Sequence, residues 1–278
     1  MKHIEIPLRT DRPHVKLVTY LTEPSREMSD TPRPAVIVFP GGGYEFTSDR
    51  EAEPVAKQFF AAGMQSIVVR YSVSKEAKGL IPATDAALAV KYVRSHAAEW
   101  GINPKRIYVC GFSAGGHLAA SIGTLYRLPV LQKNTADILG EAITAEDIRP
   151  DGMILGYPVI SAGVHAHRGS IARLSERADY SEEDINMWSL ERQVTSDTPP
   201  AFIWHTADDN GVPVENALLF AGALSAAGVP FELHVYPHGP HGLSLATSEV
   251  SWDANGIRPN VAEWVKLAIA WVWSLCGE

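Results

Sequence analysis

Short, unbroken apolar segments recur along this chain and alternate with longer stretches of helical character. The apolar segments are rich in Val and Ile, as is typical of strands buried on both faces of a parallel sheet. They cover residues 35–39, 66–71, 107–110, 153–157, 201–205 and 231–236. The helical stretches between and after them cover residues 51–62, 82–100, 114–126, 215–227 and 260–275. This alternation predicts right-handed crossovers and a doubly wound α/β fold.

The N-terminal part has a different pattern. Residues 4–8 and 15–21 alternate apolar and polar side chains, and Asp11-Arg12-Pro13 lies between them. Such alternation predicts an antiparallel hairpin of half-exposed strands. Together with the apolar segments, it predicts a mostly parallel sheet of about eight strands.

Residues 161–200 are rich in charge although they lie between two buried strands. A connection in this class of fold normally needs only a few residues and one helix, so the excess length predicts additional surface helices. We interpret residues 161–200 as a small helical cap insertion within a single domain that covers residues 1–278.

Composition excludes several classes of protein. The 278 residues carry 24 Lys and Arg against 32 Asp and Glu, a net charge of −8, without a basic run that would bind nucleic acid. Residues 264–276 are apolar, but they are interrupted by Lys266 and too few to span a membrane. Two distant cysteines, Cys110 and Cys276, and an N-terminus without an apolar signal core predict a cytoplasmic protein.

A Gly-x-Ser-x-Gly motif, Gly111-Phe112-Ser113-Ala114-Gly115, stands between an apolar strand and a helix of small residues. Glycines on both sides permit a turn tight enough to expose the serine, and the N-terminus of the helix favours a developing oxyanion. This context predicts that Ser113 is a nucleophile. The alternative is a tight turn in which the serine only caps the helix.

Three consecutive glycines, Gly41 to Gly43, directly follow the first buried strand. Glycines allow backbone N–H groups to approach a ligand that any Cβ would block. A phosphate-binding loop would require a different continuation, whereas Tyr44-Glu45 follows here. The loop is therefore a candidate donor of hydrogen bonds to an oxyanion.

The acid and the base come from two later loops that also follow strands. The acid candidates are Asp208 and Asp209, and the base candidate is His241, with His238 as its competitor. The chain order Ser, Asp, His matches that of a nucleophile-elbow hydrolase. His205 is expected to be buried at the end of its strand.

These motifs resemble those of the α/β-hydrolase fold, and within it those of acetyl-esterase and acetyl-xylan-esterase-like enzymes related to hormone-sensitive-lipase-type esterases. The resemblance extends from residue 35 to the C-terminus. It implies Ser113 as nucleophile and His241 as general base, with Asp209 as the acid and Asp208 as a second choice. It also implies an oxyanion hole made by the N–H groups of Gly42, Gly43 and Ala114. Pro40 replaces the histidine that often precedes the glycines in lipase-like relatives, which weakens the case for a lipase.

Other residues have competing interpretations. Tyr44, Tyr157 and Trp188 are predicted to bind substrate, although aromatic residues at such positions are core residues at least as often. His117 is expected to pack against the sheet. His165 and His167, with His238 and His241, could form a zinc cluster, but no carboxylate stands at ligand spacing from them, so we predict no metal and no cofactor.

The sequence thus predicts a serine esterase for short acyl esters. The resemblance favours acetyl groups, and it implies an acetylated sugar or xylo-oligosaccharide as the small-molecule substrate. The activity should fall in acid, because a protonated imidazole cannot act as a base. The alternatives are a serine peptidase of the same fold and a non-catalytic binding protein on this scaffold. The oligomeric state stays open, with the hairpin at residues 4–21 as an edge through which a homodimer could form.

Overall fold

The computed structural model of the protein describes residues 1–27, 29 and 31–277. Its strands are Glu5–Pro7 (β1), Lys16–Tyr20 (β2), Arg33–Phe39 (β3), Gln65–Arg70 (β4), Ile102–Phe112 (β5), Gly152–Gly156 (β6), Ala201–Thr206 (β7) and Phe231–Tyr236 (β8). They form one sheet in the order β1-β2-β4-β3-β5-β6-β7-β8. The pairs β1–β2 and β2–β4 are antiparallel, and every later pair is parallel. The predicted hairpin and eight-stranded, mostly parallel sheet are confirmed.

The described helices lie between and after these strands. They are Glu53–Ala61 (α1), Ile81–Ser95 (α2), Ala114–Leu125 (α3), Pro129–Leu139 (α4), Ala145–Ile148 (α5), Arg168–Leu174 (α6), Glu182–Trp188 (α7), Glu215–Ala226 (α8), Pro259–Ala262 (α9) and Trp264–Leu275 (α10). In the part of the chain that the structure describes, no helix is both long and apolar enough to cross a membrane.

Strand β3 explains why the sheet is covered on both faces. Its residues Ala35, Ile37 and Phe39 join one buried apolar cluster, and Val36 and Val38 join another. Successive side chains of a strand point to opposite faces, so a solid apolar run supplies both clusters. Helices α2, α3 and α8 pack into the first cluster, and α1 and α10 pack into the second.

The last strand differs from its prediction. We expected β8 to be buried on both faces, but Phe231 is 38 % and Val235 is 42 % exposed. The reason is its position, because β8 pairs only with β7 and forms an edge of the sheet. The prediction that β8 is buried on both faces was therefore wrong.

Several boundaries also differ. Strand β5 begins at Ile102, well before the predicted residue 107. Its first half was missed because it is partly exposed and carries polar residues. Helix α2 ends at Ser95 and not at residue 100. The predicted helix at residues 260–275 is divided at Glu263 into α9 and α10.

The charged segment 161–200 contains helices α6 and α7 and a short 3-10 turn at Leu190–Arg192. Surface helices were predicted here, and His167, which caps α6, lies beside the glycine loop. That residues 161–200 act as a cap insertion remains a prediction.

Candidate active site

The predicted site residues lie at the carboxyl ends of parallel strands. The glycine loop follows β3, Ser113 follows β5, Asp209 follows β7 and His241 follows β8. Loops at this edge of an open α/β sheet are the usual location of ligand sites.

Ser113 lies on a strained turn. Its φ of 53° and ψ of −121° are values that residues with a side chain rarely adopt. A Cβ at Gly111 would lie 2.1 Å from the Gly115 carbonyl oxygen, and a Cβ at Gly115 would lie 2.1 Å from the Phe39 oxygen. The two glycines of the motif are therefore required by close backbone contacts, and the turn places Ser113 immediately before helix α3.

Ser113, His241 and Asp209 form a continuous row of hydrogen bonds. His241 Nε2 lies 2.8 Å from Ser113 Oγ, and His241 Nδ1 lies 2.9 Å from Asp209 Oδ2 and 3.1 Å from Oδ1. The carboxylate of Asp209 is 1 % exposed, whereas the ring of His241 is 24 % exposed. This arrangement orients the imidazole to accept the proton of the serine.

Asp209 is held as an anion. Burial alone would raise the pKa of its carboxyl group, but hydrogen bonds from His205, His241 and the Val212 N–H outweigh burial and keep the pKa well below its usual range. Its Oδ1 accepts from the N–H groups of Gly211, at 2.8 Å, and Val212, at 2.9 Å. A permanently charged carboxylate can stabilise an imidazolium beside it.

The two adjacent aspartates have different partners. Asp208 lies 2.9 Å from His238 Nδ1 and accepts from the Gly239 N–H at 2.7 Å, and both side chains of this pair are exposed. His241 contacts Asp209 and not Asp208. His205 is fully buried, as expected, with Nε2 2.9 Å from the Val212 oxygen.

The glycine loop presents backbone donors. Gly42 has a φ of +126° and Gly43 one of +64°, conformations that favour glycine. The Gly42 oxygen accepts from the N–H groups of Glu45 and Phe46, which closes the turn. Among the described residues, the N–H groups of Gly42 and Gly43 have no acceptor within the protein. Ala114 is the first residue of α3, so its N–H has no partner within the helix.

The three aromatic residues predicted to bind substrate are core residues. Tyr44 and Tyr157 are 1 % exposed, and Trp188 is 5 % exposed. The hydroxyl of Tyr44 bonds to His117 Nδ1, and that of Tyr157 donates to Glu51. These three side chains therefore contact mainly other residues of the protein. Their direct contact with substrate remains a prediction.

Two polar residues at this site were missed by the sequence analysis. Glu51 is 5 % exposed and accepts the Gly41 N–H at 2.7 Å. Burial raises the pKa of Glu51, against the effect of hydrogen bonds from Tyr157 and Gly41. Nothing in the composition around residue 51 distinguishes it from an ordinary exposed acid.

His167 is the second missed residue. Its Cε1 lies 3.9 Å from the position that a Cβ on Gly43 would occupy. Burial, followed by the nearby His241, lowers the pKa of His167. The His165-x-His167 pattern was considered only for metal, but His165 lies beside Glu215, with Nδ1 4.0 Å from its Oε2. Within the described residues, no three His, Cys, Asp or Glu side chains form a group that could hold a metal ion.

Comparison with known proteins identifies the family of this chain. The BD-FAE family model matches residues 22–224. The chain is 38 % identical over 225 residues to endo-1,4-beta-xylanase B of Butyrivibrio fibrisolvens, an alignment that covers 79 % of this chain and 34 % of that protein. It is 32 % identical over 218 residues to an acetylxylan esterase of Xylanibacter ruminicola, covering 77 % and 42 % of the two chains.

A solved structure is similar over almost its whole length. It is the acetyl ester-xyloside bifunctional hydrolase from Caldicellulosiruptor lactoaceticus, with a TM-score of 0.82 and 37 % identity. The match covers 98 % of this chain and 96 % of that one. By contrast, the chain spans well under two thirds of the length of either curated relative.

Proposed function

Since this chain belongs to the BD-FAE family of α/β-hydrolases, we propose that it is a serine esterase that removes short acyl groups, above all acetyl, from sugars. The observation that carries the proposal is the hydrogen-bonded row Ser113–His241–Asp209 beside a glycine loop with free N–H donors. A nucleophile, a base, an orienting acid and oxyanion donors are the complete set that acyl transfer requires.

In the acylation step, Ser113 Oγ attacks the ester carbonyl carbon and its proton passes to His241 Nε2, 2.8 Å away. The carbonyl π bond opens and the oxygen takes the negative charge. The N–H groups of Gly42, Gly43 and Ala114 donate to this oxygen, and the N-terminus of α3 adds a favourable field. When the intermediate collapses, the C–O bond to the alcohol breaks and the leaving oxygen takes the proton from His241.

In the deacylation step, water replaces the alcohol. His241 removes a proton from the water as it attacks the acyl carbon, and the same donors stabilise the second oxyanion. The bond to Ser113 Oγ then breaks, the serine recovers its proton from His241, and the carboxylic acid leaves. Asp209 remains charged throughout and stabilises the imidazolium formed in each half-reaction.

The substrate class rests on the relatives and on the rim of the site. The similar proteins include an acetylxylan esterase and an acetyl ester-xyloside hydrolase. Phe46 is 57 % exposed, with Cδ2 3.1 Å from the Cβ position of Gly42, so its ring offers an apolar surface for the face of a sugar. We therefore propose acetylated xylo-oligosaccharides as substrates. The absence of a metal requirement and the cytoplasmic location stay predictions.

His167 supplies a polar group on the same rim. Its Nδ1 accepts the Ser170 N–H at 3.3 Å and lies 2.8 Å from Ser170 Oγ, so in the neutral ring the hydrogen is on Nε2. Among the described residues, Nε2 has no protein partner. We assign this N–H the role of a donor to a hydroxyl of the sugar.

Hydrolysis of p-nitrophenyl esters from acetate to laurate tests the proposal, with Ser113→Ala measured in parallel. We expect a preference for acetate and a loss of several orders of magnitude in kcat in the variant. A folded wild-type protein that hydrolyses none of these esters, or a variant that keeps most of the activity, would contradict the esterase assignment. Labelling by a fluorophosphonate separates a serine hydrolase from a binding protein, and a peptide p-nitroanilide tests for a peptidase.

A further inference from the structure

A buried carboxylate lies behind the catalytic groups and takes no part in the proton transfers described above. Glu51 closes the 3-10 turn Asp49–Glu51, and its Oε2 accepts the N–H of Gly41 at 2.7 Å. A Cβ on Gly41 would lie 2.7 Å from this oxygen and 3.0 Å from Ser113 Cβ. Glu51 is thus attached to the residue that precedes the two oxyanion glycines.

The other carboxylate oxygen connects to the histidine loop through Tyr157. Oε1 of Glu51 accepts the Tyr157 O–H at 2.6 Å, and the same hydroxyl oxygen accepts the Ser244 N–H at 2.8 Å. The Tyr157 ring meets the His241 ring edge to face, with centroids 5.1 Å apart. One carboxylate therefore joins the glycine loop to the segment that carries His241.

Arg50, the residue before Glu51, also bonds to the loop that carries His241. Arg50 donates from Nη2 to the Gly242 oxygen at 2.8 Å, and the Arg50 oxygen accepts from Ser244 Oγ at 2.6 Å. The turn that contains Arg50 and Glu51 is consequently bonded to the histidine loop at several points.

Backbone strain is concentrated along this connection. Positive φ values occur at Ser113 (53°), Tyr157 (34°) and Ser244 (53°), none of which is glycine. Such conformations persist only where the surrounding contacts over-determine them, and they cluster at functional sites. The hydrogen bonds that Glu51 accepts from Gly41 and Tyr157, and that Tyr157 accepts from Ser244, lie along this region.

We propose that Glu51 is a positioning residue that fixes the oxyanion loop and the general base relative to each other, by bonding Gly41 directly and the His241 loop through Tyr157. This inference rests on the proposed esterase function. It adds a third acidic or basic group to the machinery beside Asp209 and His241, one that acts through its neighbours and does not touch the substrate.

A carboxylate suits this position because both partners of Glu51 are donors. In the described part of the chain, no Lys or Arg forms an ion pair with Glu51, so its two hydrogen bonds, with smaller contributions from nearby His241 and Arg50, offset part of the cost of its burial. In Glu51→Ala, both donors lose their acceptor. In Glu51→Gln, the amide oxygen can still accept from Gly41, and the amide N–H can donate to the Tyr157 oxygen. The two variants therefore separate the geometric connection from the charge.

The experiment measures the rate of fluorophosphonate labelling and the kcat and KM for p-nitrophenyl acetate. The variants are Glu51→Ala, Glu51→Gln and Tyr157→Phe, with Ser113→Ala as the blank. Glu53→Gln is the matched control, because Glu53 is 60 % exposed and lies on the surface near Lys57. Circular dichroism and thermal unfolding establish that each variant is folded.

We expect Glu51→Ala to lose on the order of 10²-fold in kcat and in labelling rate, because the oxyanion donors are displaced. KM should change by less than about threefold, since ground-state binding is retained. Glu51→Gln should keep most of the wild-type kcat and labelling rate. Tyr157→Phe should lose about 10-fold in kcat, because it removes the connection to the His241 loop but leaves the bond between Glu51 and Gly41. Glu53→Gln should match the wild type.

A folded Glu51→Ala protein with the wild-type kcat and labelling rate would overturn the inference, as would a loss in Glu53→Gln equal to that in Glu51→Ala. If Glu51→Ala does not fold, Tyr157→Phe decides, and a wild-type kcat in that variant overturns the connection. A wild-type protein that is not labelled, or that is labelled equally in Ser113→Ala, refutes the esterase function itself. Labelling that depends on Ser113 but not on Glu51 would instead leave the esterase function standing and refute only the role of Glu51.

Discussion

His117 donates its Nε2–H to the backbone oxygen of Trp188, 3.1 Å away. A carbonyl oxygen only accepts, so the hydrogen is on Nε2, and Nδ1 is left to accept the Tyr44 O–H at 2.9 Å. The imidazole is fully buried. It therefore joins three parts of the molecule: the helix after Ser113, the end of α7 in the charged segment, and the glycine loop.

This contact predicts a pH dependence of stability. Burial lowers the pKa of His117 to about 4, whereas an exposed histidine has a pKa of about 6.5. Between these values the unfolded chain binds more protons than the folded one, so the free energy of unfolding falls as the pH is lowered from about 6.5 to 4. The contribution of His117 is on the order of 3 kcal/mol.

Urea unfolding of the wild type and of His117→Gln at a series of pH values measures this contribution. The variant should be less stable near neutral pH because it loses buried hydrogen bonds, and its stability should decline less steeply in acid. Other titrating groups, including Asp209 and Glu51, are common to both proteins and cancel in the difference. Parallel curves for the two proteins would show that His117 is not the group that titrates.

The unequal surroundings of the two aspartates predict unequal effects on catalysis. Asp209→Asn should lower kcat by about 10³- to 10⁴-fold, because the amide no longer holds the imidazole in the required tautomer. Asp208→Asn should stay within about threefold of the wild type, because its exposed pairing with His238 lies outside the row of hydrogen bonds. The kcat for p-nitrophenyl acetate at mildly alkaline pH compares them, and a larger loss in Asp208→Asn would reverse the assignment.

Gly42 provides a steric test of the oxyanion loop. A Cβ at this position would lie 2.2 Å from the Phe46 oxygen, and the φ of +126° is strained for any other residue. Gly42→Ala should therefore displace the N–H donors and lower kcat by on the order of 10²-fold. Gly222→Ala is the control, because its Cβ would meet nothing within 4 Å on helix α8, and it should leave kcat unchanged. Equal kcat values in the two variants would argue against an oxyanion role for this loop.

Much of the sheet could be predicted from sequence because burial on both faces demands an unbroken apolar run, and such runs are conspicuous. Strand β3 is the clearest case. Strand β8 shows where this logic fails, since its apolar content suggested burial but an edge strand has a neighbour on one side only. The beginning of β5 was placed too late because its first half is partly exposed and polar, and hydrophobicity marks only the buried portion of an element. The end of α2 was placed too late because Ala97 and Trp100 are buried although the helix ends at Ser95.

The residues of the candidate site also differ in how far the sequence indicates them. Ser113 and His241 could be proposed from the sequence because glycines and loop position mark them locally. The choice between Asp208 and Asp209 depended on which carboxylate turns inward, and that is determined by the fold of the loop around Val212. Glu51 carried no local signal, because Gly41 lies 10 residues before it and Tyr157 lies 106 residues after it in the chain.

His167 predicts a selectivity between substrates that share the acetyl group and differ in the alcohol. His167→Asn preserves the helix cap, since asparagine is a favoured cap residue, but its shorter side chain withdraws the donor from the rim. We expect kcat/KM for acetylated xylo-oligosaccharides to fall by about 3- to 10-fold, the effect of one lost hydrogen bond. For p-nitrophenyl acetate, whose alcohol has no sugar hydroxyl to contact, kcat/KM should remain close to the wild type.

His165→Asn is the matched control for this measurement, because His165 lies two positions away on the same loop and contacts Glu215. His165→Asn should leave kcat/KM for both substrates unchanged. Since burial and His241 lower the pKa of His167, the ring is neutral over the working range of pH, and the selectivity should not change between about pH 7 and 9. An equal loss on both substrates in His167→Asn would mean that this residue supports the reacting centre, and no loss on either would mean that the sugar does not reach it.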